Sequence, residues 1–250
     1  MPDPDLQALC ELGQQRLLVT DYLGAETVLT RAELLAWNAH DWDTLSRVYM
    51  PLQETRRQRR QRCGEGVVKL DLISIDAQRP LDADEIAARY PHGQLLVAGL
   101  ASIEPAVSLR RLSFERGLYL ETFLAAAYPA GAEGRFIVTI VPTADVALPP
   151  ADGQPVDAII SRLPPFSIVL ADTDLTRGER IGTDETYAQT MAMWEQLHRP
   201  FLAAAHATTD SIRQMAAFRR TIEVDYASEL AHQHLSTAAR RLLQQSRVSA

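Results

Sequence analysis

The stretch Gly64-Glu65-Gly66-Val67-Val68-Lys69-Leu70-Asp71-Leu72-Ile73 is where this chain changes its hydrophobic period. Before it, apolar residues recur every three or four positions, as in Leu6, Leu9 and Leu12 and then Ala25, Leu29, Ala32 and Ala36. That spacing predicts helices with one buried face. Gly64-Glu65-Gly66 stops the last of them and marks a domain boundary. Beyond it, Val68, Leu70 and Leu72 alternate with Lys69 and Asp71, which predicts a half-buried edge strand. Short apolar runs follow at residues 94–100, 136–142 and 166–171, rich in valine, isoleucine and leucine. Residues 82–90, 114–128 and 156–163 read as the helices between them. Strands alternating with helices predict a parallel sheet. The last three runs are continuously apolar, as strands covered on both faces require. Four βα units are too few for an eight-stranded barrel.

After Gly182 the helical period returns. Tyr187, Met191, Trp194, Phe201 and Ala205 trace one stripe, and Met215, Phe218 and Ile222 belong to a second. Pro200 is expected to kink or break the first helix. The expected fold class is therefore α/β. Helical hairpins occupy residues 1–64, and a small open parallel sheet of about four strands with flanking helices occupies 65–181. A C-terminal helical segment, 182–250, packs on the α/β domain.

The chain has 250 residues, 46% of them hydrophobic and 23% charged, with a formal charge of −7. That composition excludes disorder and collagen-like repeats. The acidic balance argues against general nucleic-acid binding, because the field of the whole molecule repels phosphate. Lys69 is the only lysine, so any chemistry that needs a lysine amine must use it. Cys10 and Cys63 show no pairing pattern, which fits a reducing compartment. The acidic start Met1-Pro2-Asp3-Pro4-Asp5 is unlike a secretory signal. No apolar run approaches the ~20 residues of a membrane span. The expected location is cytoplasmic.

The N-terminal helices resemble the tetratricopeptide repeat, a 34-residue pair of antiparallel helices with small residues where they touch. Leu9, Leu12 and Gly13 match its first helix, and Tyr22, Ala25, Leu29 and Ala32 match its second. The pattern restarts as Trp42-x-x-Leu45-Ser46-x-x-Tyr49. Arg16 stands where the first repeat carries tyrosine, and Pro51 stands where the second continues in helix. The resemblance covers about one and a half repeats. It implies a helical surface that binds a protein or peptide partner.

Four groups of residues carry possible chemistry. Arg56, Arg57, Arg59 and Arg60 cluster near the end of a predicted helix, either as a patch for phosphate or an acidic partner or as a solvated face stabilised by the helix dipole. Polar residues follow each predicted strand: Ser74 and Asp76, Ser102 and Glu104, Thr143 and Asp145, Asp172 and Asp174. Ligands of open parallel sheets bind there, and oxygen ligands suit Mg²⁺. Such residues also serve as ordinary caps and turns.

The third group is Ile168-Val169-Leu170-Ala171-Asp172-Thr173-Asp174-Leu175-Thr176, which resembles the first motif of haloacid-dehalogenase-type phosphatases. The resemblance implies Asp172 as nucleophile and Asp174 as acid/base, with both near a metal. Leu175 replaces the family's glycine, and the motif follows the last predicted strand instead of opening the core. Lastly, Glu195-x-x-His198 and Glu229-x-x-His232 have the spacing of di-iron ligands in helical bundles, and equally that of Glu–His pairs on exposed helix faces.

These features lead first to a cytoplasmic, non-catalytic interaction or scaffold protein that binds a protein partner through its helices. A metal-dependent enzyme acting on a phosphorylated or anionic small molecule at the strand ends is the alternative. A non-haem metal-binding helical protein is the second alternative.

Overall fold

The structure, a computed structural model, describes residues 4–131 and 134–248. Its architecture is mixed α/β, with N-terminal helices, a single mixed sheet and long C-terminal helices. The chain forms two compact units, residues 1–60 with 198–250 and residues 61–197. The C-terminal helical segment is therefore divided: residues up to Leu197 belong with the sheet, and those from His198 with the N-terminal helices.

In the helical unit, α1 (Pro4–Leu18), α2 (Tyr22–Asn38) and α3 (Trp42–Glu65, shared at Arg60) are joined by the same turn used twice. Thr20 and His40 each take a left-handed conformation, with φ of 62° and 52°. The following aspartate donates its N–H back five residues, Asp21 to Arg16 O and Asp41 to Ala36 O, at 2.9 Å in both. Thr20 and His40 donate to Leu17 O and Trp37 O. These bonds satisfy the last carbonyls of each helix. Each aspartate then caps the next helix, Asp21 accepting from Gly24 N and Asp41 from Thr44 N.

Gly13 lets α1 and α2 approach closely, since a Cβ there would stand 2.5 Å from the Leu29 side chain. Ala25, Leu29, Ala32 and Ala36 are fully buried along the α2 face. Leu12 departs from its expected face and is exposed. Helix α3 runs unbroken through Pro51, and α7 (Asp184–Ala207) through Pro200. In α3 the packing of Tyr49 and Leu52 outweighs one missing backbone bond. The later part of α7, α8 (Ser211–Val224) and α9 (Glu229–Val248) complete this unit, whose core includes Leu45, Met215, Phe218 and Leu235.

The second unit holds a sheet of order β5-β4-β3-β2-β1-β6. Strands β1 (Val67–Ile73), β2 (His92–Leu100) and β3 (Tyr119–Pro129) are parallel neighbours. They are linked through α4 (Ala83–Arg89) and α5 (Glu104–Glu115). Strands β4 (Phe136–Ile140), β5 (Ile168–Ala171) and β6 (Glu179–Ile181) are antiparallel to their neighbours, with the short α6 (Val156–Ile160) between β4 and β5.

The sheet is thus mixed and six-stranded, where a parallel sheet of about four was expected. Strand β3 is the main misreading. Its Leu, Thr and Ala content mimics a helix continuing from Phe114, but α5 stops at Gly117, whose φ is +62°. The run is buried almost throughout because both faces are covered. Leu120 and Leu124 pack with Ile86 and Leu109 on one side. On the other, Phe123 stacks on Trp194 of α7, with ring centroids 4.3 Å apart. A buried polar chain lies on that side too: Thr190 Oγ1 donates to Gln94 Oε1 at 2.7 Å, and Gln94 Nε2 to Glu121 Oε2 at 2.8 Å.

Candidate functional sites

Beyond the carboxyl ends of β1 and β2 lies a cleft of about 480 Å³. Ser74 and Asp76 come to it from β1, and Ser102 and Glu104 from β2, so two of the predicted strand-end pairs meet. Leu81, Leu100, Pro105 and Leu112 supply apolar walls. The volume lies within the range of small-molecule sites.

The lining carboxylates do local work. Asp82 Oδ1 accepts from Asp84 N and Glu85 N at the start of α4. Ser102 Oγ accepts from Glu104 N at the start of α5. The backbone donors that hold phosphate at helix N-termini are here occupied by the chain itself. Asp84 pairs with Arg116, and Ser108 donates to Glu104 Oε1 at 3.0 Å. Arg111 is the one basic side chain in the lining. The cleft therefore suits a neutral or cationic molecule better than an anion.

The other strand-end residues lie elsewhere. Because β4 runs antiparallel to β3, Thr143 and Asp145 follow its end at the opposite edge of the sheet from the carboxyl ends of β1–β3. Asp172 and Asp174 follow β5, three strands from β2. Arg135 Nε donates to Asp172 Oδ1 at 3.0 Å, and Asp174 Oδ2 accepts from Ala171 N at 3.1 Å within a tight turn. Asp172 is thus ion-paired and Asp174 closes a turn. Lys69 forms an ion pair with Asp71 at 2.6 Å, both largely buried.

The arginine run enters the helical unit. Arg60 is 1% exposed and pairs with Asp225 Oδ1 at 2.7 Å. Asp225 Oδ2 contacts His198 Nδ1 at 2.6 Å. Burial pushes the Asp225 carboxyl up, but Arg60 and His198 outweigh it and hold it at about 2. Arg56 reaches Glu26 Oε1 at 3.3 Å and His232 Nε2 at 3.1 Å. Arg59 takes Glu26 Oε2 at 2.8 Å. Arg219 binds both oxygens of Glu33, which also accepts from the Tyr49 hydroxyl at 2.9 Å. Arg57, by contrast, is exposed and pairs with Glu54 one turn away.

The Glu–His pairs separate. His198 and His232 join this network, whereas Glu195 and Glu229 are exposed, and Glu229 accepts from Gln53. His232 Nδ1 faces Ser228 O at 2.8 Å and its Nε2 faces the Arg56 guanidinium, so it donates at the first nitrogen and accepts at the second. Burial, with the Arg56 charge beside it, lowers its pKa to about 3. Both ring nitrogens are engaged, which leaves neither for a metal. Among the described residues no group of three or more His, Cys, Asp or Glu is placed to hold a metal ion.

Sequence reasoning missed Glu26 and Asp225 as the acid partners of the run, and the neighbouring Glu33–Arg219 pair. Their only signal was charge on otherwise apolar helix faces, as at Glu33 beside Ala32 and Ala36. Among the described residues no helix is long and apolar enough to cross a membrane. Compared with known proteins, the chain matches no family model, no curated protein and no solved structure.

Proposed function

We propose that this is a non-catalytic interaction protein that binds a protein partner through its N-terminal helices. One observation carries the reading: the helical unit turns its charges inward and large apolar side chains outward. Arg56, Arg60, Glu26 and Glu33 are buried, while Leu12, Leu18, Val19, Leu34, Leu35 and Met50 are 40% to 84% exposed. Buried charge and exposed apolar surface are the two departures from ordinary burial that ask for an explanation. Leu18, which ends α1, and Val19, in the turn that follows, are the most exposed of these. The tetratricopeptide-like spacing of α1 and α2 supports the same use.

The arginines engaged by carboxylates are not available to phosphate, in keeping with the acidic chain. Neither Cys10 nor Cys63 is in a disulfide among the described residues, which supports a reducing, cytoplasmic setting.

A photo-crosslinking residue placed at Val19 in cells tests the reading, with exposed Arg241 on α9 as the control position. A discrete adduct at 19 and not at 241, lost in a folded Leu12→Glu variant, is expected. Equal labelling at both positions, or none at either, rejects the proposal. A second reading, a small-molecule site, is favoured by the cleft between the ends of β1 and β2. Its test is a fragment screen by NMR, in which hits that do not shift resonances of Ser74 or Ser102 reject it.

A further inference from the structure

Outside the sites above, two histidines from different helices meet within the helical unit. His206 stands in the last turn of α7 and His234 in α9. Their ring centroids are 4.4 Å apart with planes at 90°. His234 stacks on Phe218 of α8, at 4.9 Å and 11°, which fixes its ring. Phe218 also packs edge-on against His206 at 5.3 Å. His206 is exposed and His234 half-buried. Neither makes a hydrogen bond among the described residues, in contrast to His198 and His232.

We propose that His206 and His234 bind a first-row divalent cation such as Zn²⁺, tying the end of α7 to α9. A tetrahedral ion held by two imidazoles at the usual Zn–N length needs ring centres about 5 Å apart. A small rotation of the exposed His206 closes that difference. Imidazole suits zinc, nickel and copper, while Mg²⁺ prefers oxygen ligands. With two protein ligands the remaining positions are taken by water, so the site is an exchangeable clip and not a closed structural centre. Only neutral imidazoles coordinate.

The probe is Zn²⁺ itself, with Mg²⁺ as control, added to the full chain at neutral pH and followed by thermal unfolding and equilibrium dialysis. Binding to the folded state is expected to raise the Tm by about 2–4 °C at saturation. One Zn²⁺ per chain is expected, and Mg²⁺ should have no effect. His206→Gln, an exposed side chain, should fold normally and lose both the Tm rise and the bound ion. His234→Gln should do the same from a lower starting Tm, since it removes a stacked ring. Retention of zinc by His206→Gln overturns the assignment, as does a wild-type Tm that zinc leaves unchanged or lowers.

Discussion

The two units treat buried polar groups differently. In the sheet unit the interior is mostly apolar, with polar interruptions such as the Gln94–Glu121–Thr190 chain beneath α7. In the helical unit, guanidinium groups of α3 and α8 pass between helices to carboxylates of α2 and of the turn before α9. One unit is held chiefly by packed side chains. The other adds an ion-pair network whose members depend on one another, so losing one strands its partner in a dry interior. The difference teaches that a basic run in sequence is not a surface by default. Its exposure depends on whether acids on other helices reach it.

One large expected effect belongs to the sheet unit. Trp194 is fully buried against Phe123, so Trp194→Ala should cost about 3–5 kcal/mol in denaturant unfolding. Trp42, only partly buried where it packs edge-on to Trp37, should cost clearly less on truncation. Equal costs would mean that the apolar packing of the sheet unit is not its main support.

Acid separates the units next. His232 has a folded pKa of about 3 against an unfolded value near 6.5. Between those values the unfolded chain holds a proton that the folded chain does not, so stability falls as pH falls. The slope is about 1.4 kcal/mol per pH unit, beginning below pH ~6.5. Asp225, held at about 2, adds a further loss on acidification below its unfolded value near 4. Hydrogen exchange followed from pH 7 to 4 should show the helical unit opening first. Protection lost first in β2 and β3 would reverse the comparison.

The smallest effect sharpens the account of the turns. His40 holds a left-handed φ without being glycine, so His40→Gly should stabilise by up to about 1 kcal/mol. Its ring lies 5.3 Å from Trp42, and a loss of stability would show that this contact outweighs the strain.

Much of this was legible in the sequence, for identifiable reasons. The small residues of α2 act over one or two turns, so local spacing reveals them. The first parallel strand was plain because Gly64 and Gly66 stop the helix before it. Strand β3 was hidden because a strand covered on both faces loses its alternation, and leucine with alanine then reads as helix. Strand β6 escaped as three residues, Glu179, Arg180 and Ile181, with no apolar pattern. Among the candidate residues, Ser74, Asp76, Ser102 and Glu104 could be grouped because β1 and β2 are adjacent and parallel. The direction of β4 could not be read, so Thr143 and Asp145 were grouped with the wrong edge. The partners of Arg56 and Arg60 lie 26 to 176 residues away in sequence, beyond the reach of any local pattern.

The most direct test of inward-turned charge is a side-by-side unfolding measurement on Arg60→Ala and Arg57→Ala. The two arginines are three residues apart on one helix and indistinguishable in the sequence. Arg60→Ala should cost about 3–5 kcal/mol, because the buried Asp225 carboxylate loses its guanidinium and keeps only His198 beside it. Arg57→Ala, which frees an exposed pair, should change stability by no more than about 0.5 kcal/mol. Equal, small losses for both variants would contradict the account and return the arginine run to the surface.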